Sequence, residues 1–436
     1  MSSEIVKKIR QQYESEPYPN VPLEDSPKDD ANLLYFHNLV TPYYLRNQEI
    51  PSSEGKVILD AGCGSGYKAL ILAEANPGAK IVGVDLSPKS IAVARKRLAY
   101  HQVEHFEFHA MPLEELPSLG LEFDYINNDE VLYLLPDVAA GLNAMKSVLK
   151  SDGIIRTNLH NAYQRAGVFR AQKFCQQLGL MDEDPDDLAV EILQETMEAL
   201  KNSVNLKQRT WRPEIQTNPK RALMNHLLQG DKGYTIPEVF ALLEVAGLEF
   251  IELLNFRQWD IARLFQNPDD LPAFWGMSLP GLSVETKLHL YELLNPIHRL
   301  IDFWCGHPKS AKQTVPITEW SDRDWHTASV HLHPQLKTEK VKEAAVAGID
   351  RLISLEIGQY LPLPGLSGIW LDSSSMSCLL PLWDESQSMM EMVQRWHQLQ
   401  PLDPITLEPI DLESAFATVR GIVSTMVEYG YVLVER

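Results

Sequence analysis

Three glycines at alternating positions, Gly62, Gly64 and Gly66, lie between two acids, Asp60 and Asp85. Asp60 closes the apolar run Val57-Ile-Leu, and Asp85 closes Ile81-Val-Gly-Val, 19 residues beyond Gly66. Glycines let a backbone pass close to a ligand, and an acid ending the second of two parallel strands can take both hydroxyls of a ribose. The pattern therefore predicts a strand–loop–helix–strand unit that presents a nucleoside at the edge of a parallel sheet.

The spacing separates two kinds of nucleoside ligand. A dinucleotide fingerprint reads G-x-G-x-x-G and aims a helix N-terminus at a pyrophosphate. Here the third glycine comes one position early, and Asp60 stands two residues before the first. A carboxylate there repels a phosphate and suits a cation. S-Adenosylmethionine (SAM) carries an ammonium, a sulfonium and no phosphate. Asp60-x-Gly-x-Gly-x-Gly66 with Asp85 resembles the signature of class I SAM-dependent methyltransferases. The resemblance implies SAM as cofactor, with Asp60, Gly62, Cys63, Gly64 and Gly66 at its methionine half. It puts Asp85 on the ribose, Leu86 against the adenine, and Ala110 and Met111 at the adenine edge. Many relatives carry an Asp near that edge. His109-Ala110-Met111 offers none, so backbone groups would have to serve.

Methyl transfer is an in-line displacement at a sulfonium methyl, so the protein must hold nucleophile, carbon and sulfur collinear. A general base helps only when the acceptor arrives protonated. Ligands of open α/β sheets bind at the carboxyl ends of the strands, which selects the loop Asn127-Asn-Asp-Glu-Val-Leu-Tyr133. Asn128 is expected on the cofactor side, with Asp129 and Tyr133 toward methyl or acceptor. The loop lacks the Asn/Asp-Pro-Pro-aromatic tetrad that marks methylation of amino groups on bases and glutamines. After the fifth strand, Asn158, His160 and Arg165 are placed to line an acceptor pocket, and His160 is the candidate base. The catalytic candidates are thus Tyr133, Asp129 and His160, although a lone histidine more often has a structural role. Tyr13 and Tyr18 are expected to cap the site.

The elements that must position these residues read as α/β. Strands are predicted at 57–59, 81–84, 106–109, 123–127, 154–159 and 248–255, with helices at 67–74, 90–100, 138–149 and 235–246. A seventh strand is expected at 328–332, after a helical excursion containing 291–304. Alternation of this kind implies a doubly wound, Rossmann-like sheet. The predicted divisions are a helical cap (1–50), a SAM-binding core (51–160), a helical insertion (161–235), completion of the core sheet (236–335) and a smaller C-terminal α+β domain (336–436) with a winged-helix-like run. The acidic stretch Met181-Asp-Glu-Asp-Pro-Asp-Asp187 reads as a solvated helix start, and no metal is expected.

The chain has 436 residues, 44% hydrophobic and 22% charged, which suits two or three globular domains. Four scattered cysteines without a CxxC pair suit a reducing cytoplasm. No apolar run approaches the ~20 residues of a membrane span. Formal charge is −20, and from 311 onward nine Lys/Arg face seventeen Asp/Glu, net −8. That sign opposes nucleic acid. Longer stretches, Phe108-His-Ala-Met-Pro-Leu and Gln164-Arg-Ala-Gly-Val-Phe among them, look like a bacterial group of methyltransferase-domain proteins. Relatives there usually have a His-His pair where this chain has Tyr133-Leu134, which puts any role of such a histidine in doubt here. Around Leu371-Asp-Ser-Ser-Ser and Leu379-Leu-Pro-Leu-Trp383, the C-terminal domain looks like one appended to some bacterial protein-lysine methyltransferases. The expectation is a cytoplasmic SAM-dependent methyltransferase acting on a small molecule. Its alternatives are a protein side-chain acceptor docked by the C-terminal domain, and a SAM-binding sensor without turnover. Oligomeric state is not legible.

Overall fold

The computed structural model describes residues 18–183, 185–308, 314–363 and 368–436, so Tyr13 lies outside it. Two compact units result: one within 1–25, 57–69 and 80–310, the other within 26–56, 70–79 and 311–436.

The first unit is built on β1 (Val57–Ala61), β2 (Lys80–Asp85), β3 (Phe106–Ala110), β4 (Phe123–Asn128), β5 (Leu149–Asn161), β6 (Gly233–Tyr234), β7 (Glu249–Leu253) and β8 (Leu300–Gly306). The sheet order is β3-β2-β1-β4-β5-β8-β7, with β6 beside β5. The strands from β3 to β5 run parallel, whereas β8 is antiparallel to β5 and β7 to β8. Local chemistry starts the helices between them. Ser87 caps the helix Pro88–Tyr100 by accepting from Ser90 N. Asp137 caps Val138–Ser147, and Thr235 with Glu238 makes a capping box before Ile236–Ala246.

Side chains alternate across a strand, and in-register neighbours share a face. Leu59, Ala61, Ile126, Ile155, Leu159, Ile301 and Phe303 fill one face with apolar core. On the other, Asp60, Asn127 and Arg156 fall in register across β1, β4 and β5, and Asn158 and His160 follow along β5. The site is thus a polar stripe on one face of a buried sheet.

Residues 161–235 add helices at Ala166–Gln177, Asp187–Ala199 and Pro219–His226, with a small core of Cys175, Leu193, Met197, Trp211 and Leu227. Asp186 caps the second of these through Ala189 N, so the acidic stretch does begin a helix.

Two sequence expectations need correction. The run 300–306, expected within a helical excursion, is β8. Pro296 follows the helix Val284–Leu294, and Leu300-Ile-Asp-Phe-Trp is rich in residues that fit a pleated surface. The strand expected at 328–332 is β9 (Ser329–Leu332), and it belongs to the second unit. There it pairs antiparallel with β12 (Gln387–Ser388) and β13 (Val432–Glu435), while β10 (Leu355–Glu356) pairs with β11 (Trp370–Leu371).

The second unit also takes in the helices Ala31–His37 and Val40–Asn47, which the sequence reading groups with a cap over the site. Their apolar stripe needs a partner and finds one in the C-terminal segment. The Tyr44 hydroxyl donates to Val434 O and accepts from Val434 N on β13. Tyr35 packs on His333, whose Nε2 is 3.1 Å from Thr41 Oγ1. Of the described N-terminal residues, 18–25 remain with the sheet.

Candidate active site

The glycine loop is shaped first by the protein around it. Gly62, Gly64 and Gly66 have φ of 89°, 49° and 81°, conformations that side chains disfavour. A Cβ at Gly62 would strike the Val131 side chain, and one on Gly64 would collide with Tyr18 O. The segment 18–23 therefore crosses the loop directly. Tyr18 O accepts from Ser65 N at 2.8 Å, and Pro19 O accepts from the Ser65 hydroxyl at 2.7 Å. Arg97 pins the arm, donating to Ser65 O, Pro22 O and Val21 O at 3.1, 2.7 and 2.7 Å. Cys63 turns inward, with its Sγ beside Gly83, so it can meet a ligand only through its backbone.

Asp85 ends β2 with Oδ2 accepting from Gly64 N and Oδ1 from Ser87 N, both short of saturating its oxygens. Leu86 follows it half-buried. Ala110 lies in register with Asp85, and Met111 N donates to Asp85 O. These residues share the edge at which the nucleoside is expected.

Asp60 is the informative group. Oδ1 accepts from Asn127 Nδ2 at 2.9 Å, while Oδ2 is buried without a hydrogen-bond partner among the described residues. Burial pushes its carboxyl up to about 7, with the charge of Asp129 adding to the rise and the Asn127 bond opposing it. An orphaned buried carboxylate oxygen is costly unless something cationic meets it. The residues present therefore fit SAM, whose cationic end would supply that partner.

Next to Asp60 the stripe is an ion network. Arg156 Nη1 donates to Asn127 Oδ1, and its Nε and Nη2 grip Asp302 at 3.1 and 2.8 Å. Burial alone would lower the guanidinium pKa, but Asp302 and Asp129 outweigh it and keep Arg156 charged. Asp129 accepts from Asn158 Nδ2 at 2.6 Å and pairs with Lys68 Nζ at 2.6 Å. Asn128 faces the other way, donating to Ala61 O and accepting from Thr157, so its side chain ties strands together.

At the far end, His160 Nδ1 is 2.6 Å from Asp231 Oδ1. Asp231 also accepts from Arg165 Nη2 at 3.0 Å and Gln172 Nε2 at 2.8 Å. Burial resists its ionisation, but those donors hold its carboxyl at about 2. The Tyr133 ring stacks on the His160 ring at 3.9 Å. Arg299 approaches His160 Nε2 with Nη1 at 3.3 Å and pairs with Glu130. Glu130 has φ of 61°, a left-handed conformation that is strained for a residue with a side chain.

The structure thus brings Asp129, Tyr133 and His160 to one face, and it adds Asp231, Arg299, Lys68, Arg156 and Asp302, which sequence reasoning missed. A signal existed for one of these: Asp302 is the single charge inside the apolar run of β8, whereas Arg156 shares β5 with Lys150, Asp152 and several polar residues. Asp231 and Arg299 stand in connecting segments outside helices and strands, where charge is unremarkable.

Comparison with known proteins gives the same fold and domain. The family described as methyltransferase domain matches residues 52–238. An uncharacterized protein of Synechococcus sp. is 28% identical over 329 residues, 74% of this chain and 76% of its own. A ubiquinone biosynthesis O-methyltransferase of Acinetobacter baylyi is 31% identical over 118 residues, 26% of this chain and 48% of that one. Among solved structures, PKMT2 from Rickettsia typhi superposes with a TM-score of 0.57 at 16% identity, covering 92% of this chain and 75% of that one.

Proposed function

The chain belongs to the class I SAM-dependent methyltransferases, and from that membership we propose that it methylates a small molecule held against Tyr133 and His160. The buried, unpartnered Oδ2 of Asp60 carries the donor half of this reading. SAM supplies an electrophilic methyl with sulfur as leaving group. Asp60 and the loop backbone at 62–66 hold its amino-acid end, Asp85 takes the ribose hydroxyls, and Leu86, Ala110 and Met111 flank the adenine. Asp129 acts as a positioning residue, since Lys68, Asn158 and Arg156 already surround it.

The small-molecule acceptor is supported by burial at the reacting end. His160 and Tyr133 are 1% and 6% exposed, and Arg165 and Gln172 from the helical insertion close over them through Asp231. Enclosed sites of this kind suit small ligands. A protein acceptor is the second reading, favoured by the exposed apolar residues Leu402, Ile405 and Leu407 on the C-terminal unit. Methyl-labelled SAM incubated with cell extract separates the two. Label in the small-molecule fraction supports the first reading, label in protein the second, and SAM binding without label in either identifies a sensor.

A further inference from the structure

We propose that His160 and Asp231 form a base dyad and that the acceptor presents a hydroxyl, so that methylation occurs on oxygen with proton removal. The proposal rests on the methyl-transfer reading above and adds the acceptor's chemical class.

The geometry fixes the tautomer. Arg299 is only a donor, so an Nη1 at 3.3 Å from His160 Nε2 requires a lone pair on that nitrogen. The proton then sits on Nδ1 and is donated to Asp231 at 2.6 Å. Asp231 is anchored by Arg165 and Gln172, and the stacked Tyr133 ring restrains the imidazole from the loop after β4. One ring nitrogen is fixed by a carboxylate and the other offers a lone pair, which is the arrangement a general base requires.

The resting partner of Nε2 can be exchanged. The Arg299 side chain is 47% exposed and bound on its other branch by Glu130. An acceptor hydroxyl, also a donor, can take its place on Nε2. The O–H bond then breaks with its proton passing to Nε2, the oxygen pair forms the bond to the donor methyl, and the sulfur keeps the pair of the broken S–C bond. Imidazolium returns its proton to solvent. Asp231 stabilises that cation and Arg299 and Arg165 oppose it, so departure of Arg299 favours the proton transfer. A carboxylate acceptor needs no base and would leave this dyad without work, whereas a hydroxyl uses every part.

Burial lowers the His160 pKa first, Arg165 and Arg299 lower it further, and Asp231 raises it. The charged and titratable groups facing the imidazole are Asp231 and Arg165 from the insertion, Arg299 with Glu130 beside it, and Tyr133.

Histidine NMR of the protein without cofactor tests the dyad independently of turnover. The expected His160 signature is an Nδ1–H tautomer titrating below the ordinary histidine range. Its pKa should fall further in Asp231→Asn and rise in Arg299→Ala. An Nε2–H tautomer, or a pKa indifferent to both substitutions, overturns the proposal. With methyl-labelled SAM and a small-molecule extract, label should enter alkali-stable ethers, and His160→Gln should cut that rate by about 10²–10⁴-fold. Calorimetric SAM affinity should stay within about threefold. Label confined to alkali-labile methyl esters, or a His160→Gln rate within about threefold of the parent, also overturns it. Failure of the parent protein to bind SAM would instead sink the methyltransferase reading.

Discussion

At the scale of single residues the account turns on Asp60. Its burial and glycine-loop context were legible because an acid that closes an apolar run just before a glycine-rich loop marks the carboxyl end of a strand. Its orphaned oxygen was not, since that depends on Asn127 reaching across from the neighbouring strand. A carboxyl raised to about 7 must lose its proton to meet a cation. SAM affinity should therefore fall about tenfold per pH unit below 7 and level off above it, with proton release on binding. Calorimetry in buffers of different ionisation enthalpy measures both, and Asp60→Asn should flatten the dependence. The same shift has a stability sign. A carboxyl bound more tightly to its proton in the fold contributes stability at acid pH that is lost between about 4 and 7 in the ligand-free protein. Tyr133→Phe keeps the ring that stacks on His160 and removes only the hydroxyl, so SAM affinity should stay unchanged and any effect should fall on rate.

At the scale of elements, the strands of the parallel half were legible from apolar runs ending in turn residues, and their ends moved by only a few positions. β8 was not, because Ile-Asp-Phe-Trp-Cys lacks alternation when Arg156 of the adjacent strand answers its one acid. The 18–25 arm was legible as a proline-bearing segment expected to cap the site, but its anchor was not. Its role depends on Arg97, a residue that reads as an ordinary helix cation yet is 1% exposed. Arg97→Ala should release the arm, seen as faster proteolysis after residues 18–25 and faster SAM dissociation. Unchanged cleavage would show that the Tyr18–Ser65 contact suffices. Gly64→Ala should cost roughly 1–3 kcal/mol, since it adds a positive-φ side chain where Tyr18 O already sits, and a melting curve reads that loss directly.

For the whole molecule, the division of the chain follows from where apolar helices find partners. Residues 31–47 precede the glycine loop in sequence yet pack with 314–436, a pairing that spacing along the chain does not encode. His333 lies at that packing. It is fully buried, accepts from Gln335 N at Nδ1 and sits against Thr41, and burial lowers its pKa to about 3. A histidine held neutral in the fold gives stability present above its unfolded pKa and lost as pH falls from about 6.5 toward 3. The loss is about 1.4 kcal/mol per pH unit from this one group. His333→Gln should remove that slope in denaturant titrations across the same window. Among the described residues no helix is long and apolar enough to cross a membrane.

Calorimetric titration of the purified chain with SAM and with its demethylated product probes whether a cationic nucleoside donor is held between Asp60 and Asp85. The account predicts one site for each, SAM binding that weakens below pH 7, and loss of most affinity in Asp85→Ala. Absence of binding by both, or normal SAM affinity in Asp85→Ala, would contradict it.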